Sequence, residues 1–432
     1  MRKSLLVTLA LTTLIMVSCS DNDPQDLLVN NTTQKTMSKH RTVSDAIDIA
    51  NRLRKDKSSR AWNPISSDNV SVIQANHNGR SSDNDTLLYI VDYGNNEGFT
   101  IVSSSYEGEP ILAMIEQGNY QSVETSENQA FQNILDASIN YVGALTLDTL
   151  RVPFMQITEL PRPDTLFYDT VRTKRLDVAW GQYWPENMYC PNKVAGCGPL
   201  AIAQICSFVE KPDTLDLDFP ERDKSSINLD WSQIKHHIRS NFDETPDDLT
   251  ILYHYYACET STENHKNIAR LIRQIGKDCN ASYRAGATGV TWSAAKGILS
   301  KYVMPHLYTE LTSSSMLYNY LLQYNGVAMI CGGDHIWVVD GILFFGYRVT
   351  EYYYPTIDDV NYSTTPIGGY ASITTNYTSS FFHMNLGWGG NCNGYYNSVV
   401  FKPNIAYEYD YTENNTSHSY NDGFEYCFVR KI

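Results

Sequence analysis

The order of two residue patterns along the chain constrains its fold more than any other feature of the sequence. Between about residues 128 and 324, apolar residues recur at helical spacing in successive segments. From residue 326 onward, β-branched and aromatic runs alternate with glycine and polar turns. Helices followed by strands predict an α+β domain in which a helical half faces an antiparallel sheet half. We assign this domain to residues 123–432.

A smaller unit precedes this domain. It begins with a helical pattern over residues 42–55. Strand-like runs follow at residues 70–73, 87–93, 99–103 and 111–115. One helix on a small antiparallel sheet predicts a separate α+β domain over residues 41–122.

The first forty residues have the pattern of an export signal followed by a tether. A positively charged start precedes an apolar run over residues 5–17, which is too short to span a bilayer. Cys19 follows directly and resembles the acylated cysteine of bacterial lipoproteins, so residues 1–18 are predicted to be a signal peptide. The acidic stretch 20–23 resembles that of surface lipoproteins, and the polar residues 19–40 indicate a flexible tether. We expect an outer-membrane or cell-surface location, with a periplasmic or secreted protein as the alternative.

Charge and cysteine content exclude some classes of partner. With 33 Lys and Arg against 48 Asp and Glu, the net charge is −15, and no long basic run predicts a nucleic-acid partner. Nine cysteines are too sparse for a disulfide scaffold, and no Cys-x-x-Cys pair or His/Cys cluster predicts a metal site. We therefore expect no metal, no cofactor, no nucleic acid, and membrane contact only through the lipid on Cys19. Cys197 is predicted to be unpaired.

Cys197 is the strongest candidate for a reactive residue. It lies between glycines and opens a run of good helix formers, which predicts a position at a helix N-terminus. Unpaired N–H groups and the helix dipole lower a thiol's pKa at such a position. The flanking Gly196 and Gly198 are expected to leave the thiol uncovered and to let a substrate backbone approach, so Gly196 is a candidate substrate contact. The alternative is an inert, buried cysteine.

A nucleophilic cysteine needs a base, and the base needs a group that orients it. His335 follows a glycine-containing loop and opens a strand, which makes it the first candidate base. Asn385 could accept the ring N–H of His335 and so orient the ring. On a strand, His383 faces the same side as Asn385 and is the rival base. Asp340 is an alternative orienting group, although Asp-Gly at this place is more typical of a hairpin turn.

An acyl-transfer site also needs donors for the oxyanion and contacts for the substrate. Gln182 precedes Cys197 by 15 residues and offers a side-chain amide, with the backbone N–H of Cys197 as the second donor. Gly333 and Asp334, in the loop before His335, and Trp388, in the turn after Asn385, are the further candidate substrate contacts.

These motifs together resemble the streptopain family, a bacterial branch of the papain-like cysteine proteases. They occur in the family's order, at residues 180–182, 195–197, 333–341 and 383–390. The cysteine and histidine are 138 residues apart, within the span of about 130 to 150 typical of papain-like enzymes. The resemblance implies a papain-like catalytic domain with two subdomains. It also implies a cysteine endopeptidase that acts on protein or peptide substrates.

Residues 88–104 resemble the propeptide of these enzymes, so the domain at 41–122 is implied to be an intramolecular inhibitor of a zymogen. Such a propeptide would cover the cleft, displace the histidine, and be removed by cleavage between about residues 118 and 174. The family usually has a tryptophan where this chain has Leu386. That departure leaves open a catalytically weak or inactive surface binding protein on a protease fold. A papain-like transglutaminase or amidase would use the same chemistry.

Overall fold

The computed structural model describes most of the two predicted domains. The described residues are 40–55, 65–75, 86–120, 128–148, 168–235, 263–353, 371–401 and 424–432. The signal peptide, Cys19 and the tether as far as residue 39 lie outside them. The chain divides into two compact units, of which the larger comprises residues 39–152, 167–347 and 378–432. Within the smaller unit, the structure describes only the strand segments 348–353 and 371–377.

The helices form where the sequence has apolar residues at helical spacing. The helices of the described residues are α1 Val43–Lys55, α2 Gln129–Asp148, α3 Cys197–Val209, α4 Trp231–Lys235, α5 Glu263–Asp278, α6 Trp292–Tyr302 and α7 Ser314–Gln323. Several of them begin at side-chain caps; for example, Thr291 accepts the Ala294 N–H and Ser313 accepts the Met316 N–H. The helical pattern at residues 247–258 lies outside the described residues.

Most of the strands join one 11-stranded sheet. The strands are β1 Val70–Gln74, β2 Thr86–Asp92, β3 Phe99–Ser103, β4 Ile111–Ile115, β5 Tyr168–Arg172, β6 Thr214–Asp216, β7 Ser226–Asn228, β8 Ser282–Arg284, β9 Ala287–Gly289, β10 Leu307–Leu311, β11 Gly326–Gly332, β12 His335–Tyr353, β13 Ala371–Asn385, β14 Gly394–Asn397 and β15 Glu425–Arg430. Their order is β1-β2-β3-β4-β14-β13-β12-β11-β15-β10, with β5 on β12. Two hairpins, β6-β7 and β8-β9, stand apart from this sheet.

The large sheet is continuous across the two domains predicted from the sequence. Strand β4 of the front domain pairs antiparallel with β14, with Met114 opposite Tyr395 and Ala113 opposite Tyr396. One apolar core covers a face of this sheet and contains residues from β2, β3, α2, β11, β12 and β13. The mixed α+β architecture is as predicted, with the front sheet joined edge to edge to the sheet of the catalytic domain.

The long strand β12 corrects one expectation. Asp340 and Gly341 were predicted to form a hairpin turn, but β12 runs unbroken from His335 to Tyr353. Gly341 packs directly against the carbonyl of Thr173, where a Cβ atom would collide. The glycine therefore permits a close approach of two backbone segments within the sheet, and it does not form a turn.

Helix α3 forms the centre of the second apolar core. It contacts α5, α6 and β11, and nearly all of its residues after Cys197 are buried. Because so much of its surface is packed, the position of its first residue is fixed by the whole helical half of the domain. In the part of the chain that the structure describes, no helix combines the length and apolar character that a membrane span requires.

Candidate active site

Cys197 is the first residue of α3, at the helix N-terminus expected from the sequence. The thiol is free and partly exposed. Burial alone would raise the pKa of Cys197, but the charge of His335 and a hydrogen bond with its side chain outweigh that effect. Hydrogen bonds from the backbone of Ile336 and Gly198 act in the same direction, so the pKa lies below its ordinary value. The geometry favours a thiolate at this position.

The glycines around Cys197 leave room for a neighbouring segment of the chain. Gly196 has φ +90°, and a Cβ atom there would lie 2.8 Å from Cγ2 of Thr288. A Cβ atom on Gly198 would collide with Val290. Both glycines therefore allow the segment after β8 to pack against the start of α3. Thr288 fills the space on the Cβ side of Gly196, and the contact of Gly196 with a substrate stays a prediction.

His335 lies beside Cys197 at the beginning of β12. It is 4% exposed, and its ring stacks on that of Trp337 with centroids 6.0 Å apart. Its Nε2 atom lies 3.4 Å from the backbone carbonyl oxygen of Leu386. The displacement of the histidine implied by the family resemblance is therefore absent, because His335 interacts with Cys197 while the front domain is in place.

Asn385 was predicted to accept the ring N–H of His335, but the acceptor found there belongs to the next residue, Leu386. Its Nδ2 donates to the carbonyl of Val178 at 2.7 Å, and its Oδ1 accepts from Gln204 at 3.0 Å and from the Gly387 N–H at 3.2 Å. The expected hydrogen bond between Asn385 and His335 is not formed, because these partners hold the amide. The Leu386 carbonyl occupies that place. A backbone carbonyl has no residue-type signature, so the sequence could not indicate it.

His383, the rival base, belongs to a separate cluster. It is 1% exposed, with Nδ1 2.5 Å from Asp340 and Nε2 3.5 Å from Glu116. Its ring also lies edge-on to Tyr395, with centroids 4.8 Å apart. The proposal of His383 as the base is therefore wrong, because both ring nitrogens face carboxylates outside the Cys197 site. Asp340 likewise orients His383 and not His335.

The segment that carries Gln182 runs alongside the residues that lead into α3. The Ala195 N–H donates to the Gln182 carbonyl at 2.9 Å, and Gln182 is 9% exposed. Gly181 pairs antiparallel with Trp388, whose ring lies edge-on to Tyr183 with centroids 6.0 Å apart. The structure thus brings Gln182 and Trp388 to the same side of the Cys197 helix start.

The turn between β11 and β12 carries the remaining candidates, Gly333 and Asp334. Both are exposed, and Gly333 has φ +58°. Asn133 of α2 donates to the carbonyl of Gly332 at 2.9 Å, so a side chain from the front half of the chain fixes the turn that leads to His335. Sequence analysis missed Asn133; its only signal was a polar residue on the apolar side of a helix.

No group of three or more His, Cys, Asp and Glu side chains within the described ranges is arranged to hold a metal ion. The site consists of four elements: the segment 180–182, the start of α3, the β11-β12 turn and the loop after β13. They bring together the thiol of Cys197, whose pKa is lowered, and the imidazole of His335. The backbone carbonyl of Leu386 accepts from Nε2 of that imidazole. This arrangement can form a thiolate–imidazolium pair.

Comparisons with known proteins agree with this chemistry. The model of the peptidase C10 family matches residues 180–396, half of the chain, and that of the Spi protease inhibitor matches residues 35–142. The inhibitor match extends through most of α2, past the boundary predicted at residue 122. A comparison with curated proteins finds no match.

Two solved structures from Prevotella intermedia are similar to this chain. A fragment of prointerpain A has 15% identity and a TM-score of 0.47, covering 84% of this chain and 98% of its own. Active wild-type interpain A cysteine protease has 16% identity and a TM-score of 0.32, covering 61% of this chain and 96% of its own.

The two family matches confirm the resemblance predicted from the motifs. One protease region and one protease-inhibitor region in a single chain are the composition of a cysteine protease made as a zymogen. The chain belongs to the peptidase C10 family, the streptopain family of cysteine proteases.

Proposed function

We propose that this protein is a cysteine endopeptidase in which Cys197 is the nucleophile and His335 the general base. The observation that carries the proposal is the contact between the two side chains at the start of α3, where the pKa of Cys197 lies below its ordinary value. A thiolate is the reactive form of cysteine, and an adjacent imidazolium makes it available near neutral pH.

The proposed reaction has two steps, acylation of Cys197 and hydrolysis of the resulting thioester. The thiolate of Cys197 attacks the peptide carbonyl carbon, and the oxyanion that forms accepts from the side-chain amide of Gln182 and the backbone N–H of Cys197. The C–N bond then breaks, and protonated His335 gives its proton to the leaving amine. Water, deprotonated by His335, hydrolyses the thioester, which releases the carboxylic acid and restores the thiol.

Leu386 supports this cycle through its backbone. Its carbonyl accepts from Nε2 of His335, which leaves the other ring nitrogen for the thiol. An acceptor at this place stabilises the protonated ring that the thiolate needs as a partner. The departure from the family pattern at Leu386 therefore leaves the catalytic contact intact, since that contact uses the main chain.

The localisation of the protein belongs to the same proposal. The charged start, short apolar run and following Cys19 support export and acylation of Cys19, which would tether the protease to the outer membrane or cell surface. Labelling with a radioactive fatty acid tests this: wild type should incorporate the label and Cys19→Ala should not. Equal incorporation by both would exclude Cys19 as the anchor.

Casein hydrolysis under reducing conditions tests the proposed activity. Wild type should lose its N-terminal domain on a gel and digest casein, and Cys197→Ala should do neither. Cys331→Ala is the matched control, because Cys331 is also free and partly exposed, and this variant should behave as wild type. If wild type digests nothing after the inhibitor is removed by limited proteolysis, a non-enzymatic binding protein replaces this proposal. Transfer of casein acyl groups to an added amine, without new peptides, would indicate a transglutaminase.

A further inference from the structure

Helix α3 carries a buried polar residue, Gln204, on the face that bears the nucleophile. Gln204 follows Cys197 by seven residues, which is two helical turns, so the two side chains project from the same face about 10 Å apart along the axis. Gln204 is 1% exposed. Leu200 occupies the same face between them. The reaction described above gives Gln204 no part.

Gln204 contacts the loop that contains the Leu386 carbonyl. Its Nε2 donates to Oδ1 of Asn385 at 3.0 Å, and the same oxygen accepts from the Gly387 N–H at 3.2 Å. Leu200 packs against the loop at Gly387, where φ is +77° and a Cβ atom would lie 2.9 Å from Leu200 Cδ2. Helix α3 therefore holds residues 385–387 on both sides of Leu386.

The other side-chain hydrogen bonds of residues 385 and 386 go to segments other than α3. The Leu386 N–H donates to Oδ1 of Asn393, and Asn385 donates to the carbonyl of Val178. Among the hydrogen bonds of the described residues, the Gln204–Asn385 bond is the one that joins the helix that carries the nucleophile to the loop that accepts from His335. Its burial excludes water as a substitute donor.

We propose that Gln204 is a positioning residue for catalysis: through Asn385 it holds the Leu386 carbonyl at the distance from Cys197 that orients His335. This inference rests on the proposed function of Cys197 and His335. The 3.4 Å separation between His335 Nε2 and Leu386 O is already at the long end for a hydrogen bond, so a small outward shift of the loop would break it. Loss of that acceptor destabilises the protonated ring and, with it, the thiolate partner.

Gln204→Met is the direct test, because methionine has a similar length and no amide. Asn385 keeps its bond from the Gly387 N–H, so the substitution leaves no buried oxygen without a donor. We expect the acid limb of Cys197 alkylation by iodoacetamide to move up by about half a pH unit, so that the rate at pH 6 falls about threefold. The kcat for casein should fall with little change in KM. The plot of kcat against pH should become narrower, with its acid limb at higher pH and its basic limb at lower pH.

Gln204→Glu is the second variant. A charged carboxylate cannot donate to Asn385, but a protonated carboxyl can, and burial favours the protonated form. The kcat deficit of this variant should therefore be smallest at acid pH and grow as the pH rises. A residue that only stabilised the fold would lower activity equally at every pH.

Ser207→Ala is the matched control, since Ser207 is 1% exposed on the same helix and donates to the Gln204 carbonyl at 2.6 Å. This variant should lower the stability of the fold and leave the acid and basic limbs of the pH profile of kcat unchanged. If the pH profiles of Gln204→Met matched those of an active wild type whose Cys197 is selectively alkylated, the role of Gln204 would be overturned and the proposed function would stand. A wild type without casein hydrolysis and without selective alkylation would instead overturn the proposed function and this inference with it.

Discussion

One thiol in the described part of the chain, that of Cys197, has a pKa below its ordinary value. Burial raises the pKa of Cys190 and of Cys331 to about 12, and it raises the pKa of the other buried thiols as well. Cys197 differs because His335 and the backbone of the α3 start outweigh the same desolvation. Reactivity at this site is therefore a property of the neighbours of Cys197 and not of its exposure alone.

A substitution at Leu386 tests whether its side chain or its carbonyl serves the site. The side chain is fully buried in the same core as Phe382 and Met384. Leu386→Trp, which restores the usual family residue, should overpack this core and lower the free energy of unfolding by about 1 to 3 kcal/mol. Casein hydrolysis by the folded fraction should not increase. Leu386→Met, which nearly conserves volume, is the control for denaturant unfolding; higher activity in the tryptophan variant would contradict the role given to the carbonyl.

At the scale of elements, two of the polar contacts between the inhibitor region and the protease reach segments that lead to the site. Helix α2, most of which lies in the inhibitor match, contacts the β11-β12 turn through Asn133. Glu116, just after β4, contacts His383 of β13, and His383 in turn contacts Asp340 of β12. Both contacts fix protease segments that lead to the site, so each strengthens the association of the inhibitor region with the protease.

Asn133→Ala should weaken the contact between α2 and the β11-β12 turn. It removes a hydrogen bond worth about 1 kcal/mol and leaves the buried Gly332 carbonyl without this donor, so loss of the inhibitor domain should become about fivefold faster. Gel analysis of self-processing measures this rate. Ser138→Ala on the same helix is the control, because Ser138 bonds only its own helix at Ile134. Equal rates in all three proteins would remove Asn133 from the inhibitory contact.

The His383 cluster predicts a pH dependence of stability. Burial alone would lower the pKa of His383, but the charge of Asp340 and hydrogen bonds to Asp340 and Glu116 raise it above its ordinary value. Lys174, which pairs with Glu116 at 2.9 Å, opposes the rise. Because the folded protein holds this proton more tightly than the unfolded chain, the contribution is complete below the ordinary histidine pKa. It is lost as pH rises through the raised value.

Denaturant unfolding of the full chain between pH 6 and 9 measures this linkage, with Cys197→Ala as the background to prevent self-processing. Stability should fall with pH in that background. Glu116→Gln should flatten the fall, because glutamine can donate to the neutral ring and accept from the protonated one. A slope that is the same with and without Glu116 would show that the Glu116–His383 contact contributes nothing.

At the scale of the whole molecule, inhibitor and protease share a sheet and a core. The β4-β14 pairing joins the two regions edge to edge, and α2 buries Phe131, Ile134 and Leu135 in the apolar core that also contains Trp337. Each fully buried side chain of this size contributes about 1.5 to 3 kcal/mol. The contact resembles the interior of a single domain more than a surface contact between two domains.

A single cut in the connection between the two regions should therefore not separate them, so that activation requires digestion of the inhibitor region as well as this cut. A specific protease site introduced within residues 149–167, in the Cys197→Ala background, allows this cut without self-processing. The two pieces should elute together on gel filtration at neutral pH and separate only in denaturant. Separate peaks under native conditions would mean that the shared sheet does not hold the inhibitor.

The sequence predicted local features of this molecule better than its long-range contacts. The bounds of β3 and β4 and the start of α3 at Cys197 followed from residue patterns, because apolar period and glycine placement are local properties. The orienting group of His335 did not, since Asn385 indicated the right loop but the acceptor is a main-chain atom of the next residue. The Asp340–His383 pair joins two strands whose register no local pattern contains.

The most direct test of the account is the pH dependence of Cys197 alkylation in the full-length chain, with wild type compared with His335→Ala. Because His335 lies against Cys197 before the inhibitor is removed, Cys197 of the wild type should react with iodoacetamide at pH 6 at least about tenfold faster than Cys197 of the variant. Peptide mapping would separate Cys197 from the other cysteines. Equal rates in the two proteins, with reaction rising only toward pH 8 to 9 as for an ordinary thiol, would contradict the assembled thiolate–imidazolium pair.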